Sequence, residues 1–530
     1  MNNPVITVAL AAHVPFLRQG DSLYASQEQW FFESISETYI PLLETFERLD
    51  RDRVPFRVAL SLSPTLCNML TDDFLIERYI QYTDKQIEFG AQELERNSDN
   101  EELYALAKLL YDRVVDKRVL FTERYEKNIL KGFQYFQKKG RLELLGTAAT
   151  HAFLPFYTAY PEAIQAQFEV SIATYRDNFG KSPQGFWLPE IGWSAPLDSW
   201  LRAYNFGYTI VDSHALVFGH PTAQKGNFYP ARTPQGVFVF GRDFYACQDI
   251  AAMTQDQLYR NYSRDQGFEL PAEDVKPFLG HQGHRTGTGY KYWGGGSGGA
   301  GVELADKIYN PVEAEKKARN HAREFLAART ARLKSAAALM EEIPVSLCAF
   351  DADSLGRFWH EGAVFLEELF REAAKSTDIQ FLTPSEYLCK LDPESLQTLI
   401  PEFSSSGLNG YAEEWLDASN DWMYGHTIRA LDRMVEIAER FPNSTSLKER
   451  ALNQAARELL LALSSYWPKM LYKQESVDYA RNRIENSLRN FTTIYEALGS
   501  NYISTEWLTQ LERRNNVFPN INYRVFRRKH

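Results

Sequence analysis

The amino-acid sequence predicts a parallel β/α fold, a barrel in preference to an open doubly wound sheet, followed by a helical domain. Three observations carry this expectation. Short apolar, β-branched runs alternate with helical patterns, which argues for parallel strands joined by helices. Most of these runs are too continuously apolar to have a wet face, as in a sheet covered by helices. Polar residues collect where the runs end, and a barrel carries its site at the C-terminal ends of its strands.

The strand runs follow one another along the chain. Residues 5–10 lead to His13, and 54–62 to Ser63 and Pro64. Residues 141–145 lead through Gly146 to Thr150 and His151, and 185–188 to Pro189 and Glu190. Residues 208–211 end at Asp212, 237–240 at Arg242 and Asp243, and 344–350 at Asp351; a last run occupies 378–382. Helical patterns at 161–179, 194–204 and 361–374 lie between them. Residues 68–140 read as charged, Tyr-containing helices inserted between barrel strands. Residues 251–305 are dense in Gly and aromatics and without periodicity, the signature of a long lid or binding loop. Gly294, Gly295, Gly296, Gly298, Gly299 and Gly301 would make that loop mobile. Pro311 opens a helix reaching about Met340. Helical patterns then dominate at 422–440, 447–466 and 478–498. The expected organisation is a catalytic barrel over 1–395, with the insertion at about 68–140 and the loop at about 251–305, and a helical domain over 396–530.

Composition narrows the function. A net charge of −11 over 530 residues argues against non-specific binding to a nucleic-acid backbone. No window approaches 18 consecutive apolar residues, so no membrane span is expected. The N-terminus lacks a basic n-region and reads as a first strand rather than a signal peptide. Cys67, Cys247, Cys348 and Cys389 are scattered without CxxC spacing, which fits reduced thiols and a cytoplasmic protein. HEXXH, GxSxG and P-loop patterns are absent, and His281 and His284 in a Gly-rich loop are weak ligands, so no metal or other cofactor is expected. The surplus is aromatic, at 14% of the chain.

Two carboxylates stand out. Glu190 ends a strand run between Trp187 and Trp193 in GFWLPEIGW, and Asp351 ends another in CAFDADSLGRFW. Either alone serves equally well as a cap for the next helix. As a pair they fit glycosidic bond chemistry, which needs one carboxylate as nucleophile or base and one carboxylic acid as proton donor. Aromatic faces stack on sugar rings while Asp, His and Arg hold hydroxyls. The candidates are Trp187, Trp193, Tyr290, Tyr292, Trp293, Trp359, Trp415, Trp422 and Trp467, with Asp212 and Arg242 at strand ends. Core filling is the competing use for each ring.

An ordered set of motifs then resembles glycoside hydrolase family 57, specifically its branching-enzyme-like members of about this length. The set comprises AHVPF (12–16), ETYIPLL (37–43), LSLSPTL (60–66), RLELLGTAATHAFLP (141–155), GFWLPEIGW (185–193), FDADSLGRFWHEG (350–362), NDWMYGH (420–426) and NVFPNINYRVF (516–526). The resemblance implies a (β/α)₇ barrel with a helical insertion and a C-terminal helical domain lining the cleft. It implies retaining chemistry on an α-1,4-glucan with transfer to 6-hydroxyls to form α-1,6 branches. Glu190 matches the nucleophile and Asp351 the general acid/base, while His13 and His151 match histidines near the sugar subsites. The chain departs from the family pattern at Ala11, Ala152, Asp353, Arg357, Phe358, Ser406 and Tyr466. Glucan branching is the leading expectation, for a monomer. A 4-α-glucanotransferase or amylase, and a catalytically degenerate glucan-binding protein, are the alternatives.

Overall fold

A computed structural model describes residues 3–19, 25–280, 283–296, 307–500 and 502–529. Nine strands form one sheet: β1 (Val5–Ala12), β2 (Val58–Leu62), β3 (Leu142–Thr147), β4 (Gly185–Trp187), β5 (Tyr208–Val211), β6 (Ala231–Arg232), β7 (Phe238–Gly241), β8 (Val345–Asp351) and β9 (Gln380–Phe381). Seven of them run parallel in the order β7-β5-β4-β3-β2-β1-β8. The ring closes where Arg242, just past β7, bridges in parallel to Leu347 of β8. Asp243 N–H donates to the Leu347 carbonyl at 2.8 Å, and Arg242 N–H to Val211 at 2.9 Å. The seven-stranded barrel implied by the family resemblance is therefore present.

The last sequence run, at 378–382, is not a barrel stave. β2 pairs with β1 only from Ala9 onward, and the two-residue β9 takes the edge at Val5 and Ile6 that β2 leaves open. Sequence patterning marked β9 as extended without showing that the ring was already full. β6 is a further two-residue strand, antiparallel to β7.

Alternation along the strands divides the core in two. Val5, Ala9, Ala11, Ala59, Leu145, Trp187, Tyr208, Ile210, Phe240, Val345, Leu347 and Ala349 pack together inside the barrel. Ile6, Val8, Leu10, Phe186, Val211, Cys348 and Phe350 face outward into the larger core shared with the helices. A two-residue period has a direct consequence at the mouth. The parity that sends 9 and 11, 208 and 210, 240, and 347 and 349 inward also carries His13, Asp212, Arg242 and Asp351.

Helices Pro64–Leu70, Asp73–Arg96, Glu101–Val119 and Leu130–Lys138 fill the span between β2 and β3. Each of the first three starts on a side-chain cap, from Ser63, Asp72 and Asn100. Helices Trp422–Arg440, Ser446–Ala462, Tyr466–Lys473, Val477–Ser500 and Thr505–Arg514 pack together after the barrel. The segment after them returns to the barrel side. Gln165 donates to the Val525 and Arg527 carbonyls, and Phe518 N–H meets Asn68 Oδ1 at 2.5 Å.

The loop after β7 is more structured than its composition suggests. Asp265, 2% exposed, accepts from the backbone N–H groups of Gly267, Thr288 and Gly289 and from the Thr288 hydroxyl at 2.7–2.8 Å. Arg260, 3% exposed, pairs with Glu37 at 2.7 Å. These buried polar anchors tie down a segment that patterning reads as mobile. Gly298, Gly299, Gly301 and His281 lie outside the described residues.

Candidate active site

The site is built where barrel strands end, and a turn with costly backbone aims its central carboxylate. After β4, Leu188–Gly192 reverses direction with Ile191 N–H on the Leu188 carbonyl at 2.8 Å and Gly192 N–H on Pro189 at 2.9 Å. Glu190 stands at φ 56° and Ile191 at φ 53°. His151, which follows β3, also has φ 56°. Left-handed backbone costs a non-Gly residue roughly 1–2 kcal/mol, and such positions cluster at functional sites. Ser406 N–H clamps the Glu190 carbonyl at 2.7 Å.

Both carboxylate oxygens of Glu190 are held from outside the barrel strands. The Ser465 hydroxyl donates to Oε1 at 2.9 Å, and Lys469 Nζ donates to Oε2 at 3.2 Å. Both come from the segment at helix Tyr466–Lys473, where Ser465 is the N-cap position and a four-residue spacing puts the pair on one face. His151 Nδ1 lies 3.1 Å from Ser465 Oγ and 3.7 Å from Glu190 Oε1. Its ring stacks on His13 at 4.2 Å, and His13 Nδ1 meets Ser63 Oγ at 2.7 Å. His13 Nε2 is buried without a partner among the described residues.

Asp351 ends β8 at the floor of an open cleft of about 560 Å³. Asp351 is exposed to the cleft. The cleft runs between the barrel mouth and the helical segment, lined by Trp30, Tyr262, Phe268, Lys291, Arg357, Phe358, Tyr466, Lys469 and Lys473 among others.

Electrostatics separate the two carboxyls. Burial alone would raise Glu190, but Lys469, His151 and the Ser465 hydrogen bond together hold it below the ordinary glutamate range. Asp351 moves the other way: desolvation raises it, Glu190 and Asp353 add to the rise, and Lys469 and Arg242 offset part of it. Burial pushes His151 down to about 4 and His13 well below its usual value, so both imidazoles are neutral near pH 7. The two carboxyls are thus displaced in opposite directions, the pattern that assigns opposite roles to paired acids.

The structure gathers Glu190, Asp351, His13 and His151 at the mouth, with Arg242 paired to Asp212 beside Asp351. Asp212 also faces His214 Nδ1 at 3.6 Å. It does not bring the rings there as the sequence reading expected. Trp193, Tyr290, Trp359 and Trp467 are core residues at 0–1% exposure, and a ring with no free face cannot stack on a sugar. Trp193 Nε1 donates to the Pro401 carbonyl, Tyr290 OH to Gln86, and Trp467 Nε1 to Leu461. Trp359 packs between Tyr259 and Phe365. Trp415 stacks on Phe153 at 5.2 Å and carries Lys469 over its ring. Trp187 fills the barrel interior, and Tyr292 is buried against Glu93. Trp293 and Trp422 are partly exposed but stand away from the cleft lining, Trp293 covered by Arg264.

The aromatics that do line the cleft are Trp30, Tyr262, Phe268, Phe358 and Tyr466. Four of the departures from the family pattern lie in one contact group there. Asp353 accepts from Ser34 at 2.9 Å and Thr38 at 2.6 Å, Arg357 lies 3.7 Å from Asp353 and stacks on Phe358, and Tyr466 sits in the field of Arg357. Lys469 and Ser465 went unnoticed in the sequence. The only signal was their four-residue spacing around a Pro-containing helix start, and nothing in the chain points that face toward Glu190. Among the described residues no group of three or more His, Cys, Asp or Glu could hold a metal ion, and no helix is long and apolar enough to cross a membrane.

Comparison with known proteins gives the chain its family. The profile of glycosyl hydrolase family 57 matches residues 7–281, and that of the 1,4-alpha-glucan branching enzyme C-terminal region matches residues 426–526. A 1,4-alpha-glucan branching enzyme of Thermococcus kodakarensis is 27% identical over 539 residues, covering 97% of this chain and 77% of that protein. Among solved structures, the α-amylase AmyC of Thermotoga maritima superposes with a TM-score of 0.91 at 34% identity, with all of both chains covered. A branching enzyme of the same family from Pyrococcus horikoshii gives 0.87 at 25% identity, covering 99% of this chain and 97% of that one. With one family profile spanning more than half of its length, the chain belongs to glycosyl hydrolase family 57.

Proposed function

We propose that the protein is a retaining 1,4-α-glucan branching enzyme, with Glu190 as nucleophile and Asp351 as general acid/base. The observation that carries this is the opposite displacement of the two carboxyls at the mouth of one barrel. Glu190 is anionic and aimed by a left-handed turn, ready to attack an anomeric carbon. Asp351 keeps its proton for the departing glycosidic oxygen, then removes one from the acceptor hydroxyl. An acceptor 6-hydroxyl gives an α-1,6 branch, and water at the same position gives hydrolysis. The neutral imidazoles of His13 and His151 suit uncharged sugar hydroxyls. Tyr262 and Phe268, from the pinned loop, and Phe358 present apolar faces on the cleft.

The match to a branching-enzyme C-terminal profile and to branching enzymes over nearly the whole chain favours transfer. The 34% identity to a structure described as an α-amylase favours hydrolysis as the second reading. Products distinguish them. Branching lowers the iodine absorbance of amylose and creates linkages that a debranching enzyme releases as short chains. Hydrolysis lowers absorbance with a matching rise in reducing ends and no new branch points. Glu190→Gln, close to isosteric, is expected to remove turnover by at least roughly 10³-fold while leaving the thermal unfolding curve in place. Surviving turnover in that variant overturns the nucleophile assignment.

A further inference from the structure

Lys469 is the charged group at this site for which neither carboxylate role accounts. It is three-quarters buried, reaches Glu190 Oε2 at 3.2 Å, and lines the cleft together with Asp351. It comes from helix Tyr466–Lys473, outside the barrel. We infer that Lys469 is a catalytic counter-ion shared by the two carboxylates, balancing the single negative charge of the site as that charge passes from Glu190 to Asp351 and back. The inference rests on the roles proposed above.

Charge accounting across the reaction gives the reason. In the first step a Glu190 oxygen bonds the anomeric carbon as the bond from that carbon to the leaving oxygen breaks. The leaving oxygen keeps the electron pair and takes the proton of Asp351. Glu190 becomes a neutral ester and Asp351 a carboxylate. In the second step the acceptor hydroxyl gives its proton to Asp351 while its oxygen bonds the same carbon, and Glu190 leaves with its electron pair. Each resting state therefore holds one negative charge, on alternating residues. A cation held near both stabilises either state without rearranging, which is what preorganised electrostatics contributes.

The surrounding groups leave this role to Lys469. From the barrel it is faced by Glu190 and Asp351, and from the helical side by Tyr466 and Glu414. His13 and His151 lie close and are neutral. Arg242, which also acts on Asp351, is paired to Asp212, and Arg357 sits beside Asp353. Lys469 acts on Glu190 and Asp351 in the same direction, favouring the anion of each.

The test compares Lys469→Met, Lys469→Gln and Lys469→Arg in the full chain with amylose, following initial rates across a pH series. Lys469→Met is expected to lower kcat roughly 10²-fold with little change in KM. It should move both the acid and the alkaline limb of the profile to higher pH, because each carboxyl loses the same positive neighbour. Lys469→Arg should return both limbs toward the parent positions, and Lys469→Gln, which removes the charge but keeps polarity, should still move both limbs upward where Met perturbs folding. A fall in rate with both limbs unmoved overturns the inference, as does movement of the acid limb alone. Glu190→Gln separates the two levels of the argument. If it abolishes turnover while the Lys469 profiles coincide with the parent, the shared counter-ion falls and the nucleophile stands. If Glu190→Gln stays active, the underlying assignment falls.

Discussion

At the scale of single residues, the strand-end polar positions were legible because side chains alternate along a strand. His13, Asp212, Arg242 and Asp351 could be marked from the chain alone, and strand parity turns them all inward. The rings could not be sorted this way. A tryptophan contributes the same large apolar surface whether it meets a sugar or a core, and Trp193, Trp359 and Trp467 went to the core. The split carboxyls yield a prediction at this scale. With the proposed roles, activity requires Glu190 ionised and Asp351 protonated, so it rises as pH passes the Glu190 pKa and falls as pH passes that of Asp351. The kcat/KM profile reports these free-enzyme groups. Its acid limb is expected below the usual glutamate range and its alkaline limb above the usual aspartate range. A plateau continuing into the alkaline range contradicts the Asp351 assignment.

At the scale of elements, helix ends and strand cores followed local rules, whereas the loop after β7 did not. Pro161 and Pro311 start helices as read, and helix Pro161–Phe179 closes on Gly180 at φ 71°. Absence of periodicity and the glycine run at 294–301 predict a mobile loop. Its anchors are instead long-range polar contacts, invisible to a local pattern. The central one is Glu37, in the helical stretch after β1, which accepts from Arg260 at 2.7 Å, Lys117 at 2.9 Å and His360 at 2.9 Å if that nitrogen is protonated. It thus ties the inserted helices, the loop and the segment after β8 together. Burial opposes its ionisation, yet the surrounding cations hold it well below the usual glutamate range. A depressed carboxylate stabilises the fold above its unfolded pKa, and that contribution is lost as pH falls toward the folded pKa. Glu37→Gln leaves Arg260 buried without its anion and is expected to cost roughly 3–5 kcal/mol at neutral pH. Denaturant unfolding of the parent and the variant should converge as the medium is acidified. A constant gap at all pH values contradicts this account.

At the scale of the whole molecule, one apolar cluster runs from Ile6 and Leu10 of β1 through Phe133 and Phe365 to Leu459, Phe491 and Phe526. No seam separates barrel from helices, and Ser465 and Lys469 complete the site across that junction. A continuous core favours one cooperative unit. Calorimetry is expected to give a single unfolding transition, and a chain ended at residue 421 to lack both stable fold and turnover. Two resolved transitions, or an active shortened chain, overturn this reading.

The division between chain and fold follows from the range of the forces involved. Strand periods, helix starts and the carboxylates at strand ends are local properties, set by alternation, capping chemistry and side-chain type, and so the barrel and its two acids could be read in order. Ring closure at Arg242 and Leu347, the burial of Trp193, Trp359, Trp415 and Trp467, and the arrival of Lys469 and Ser465 at Glu190 depend on contacts between residues far apart in the chain. In particular, Lys469 and the carboxylate it holds are 279 positions apart in the chain. Packing alone brings them together, and with them the burial and neighbouring charges that draw Glu190 down and Asp351 up.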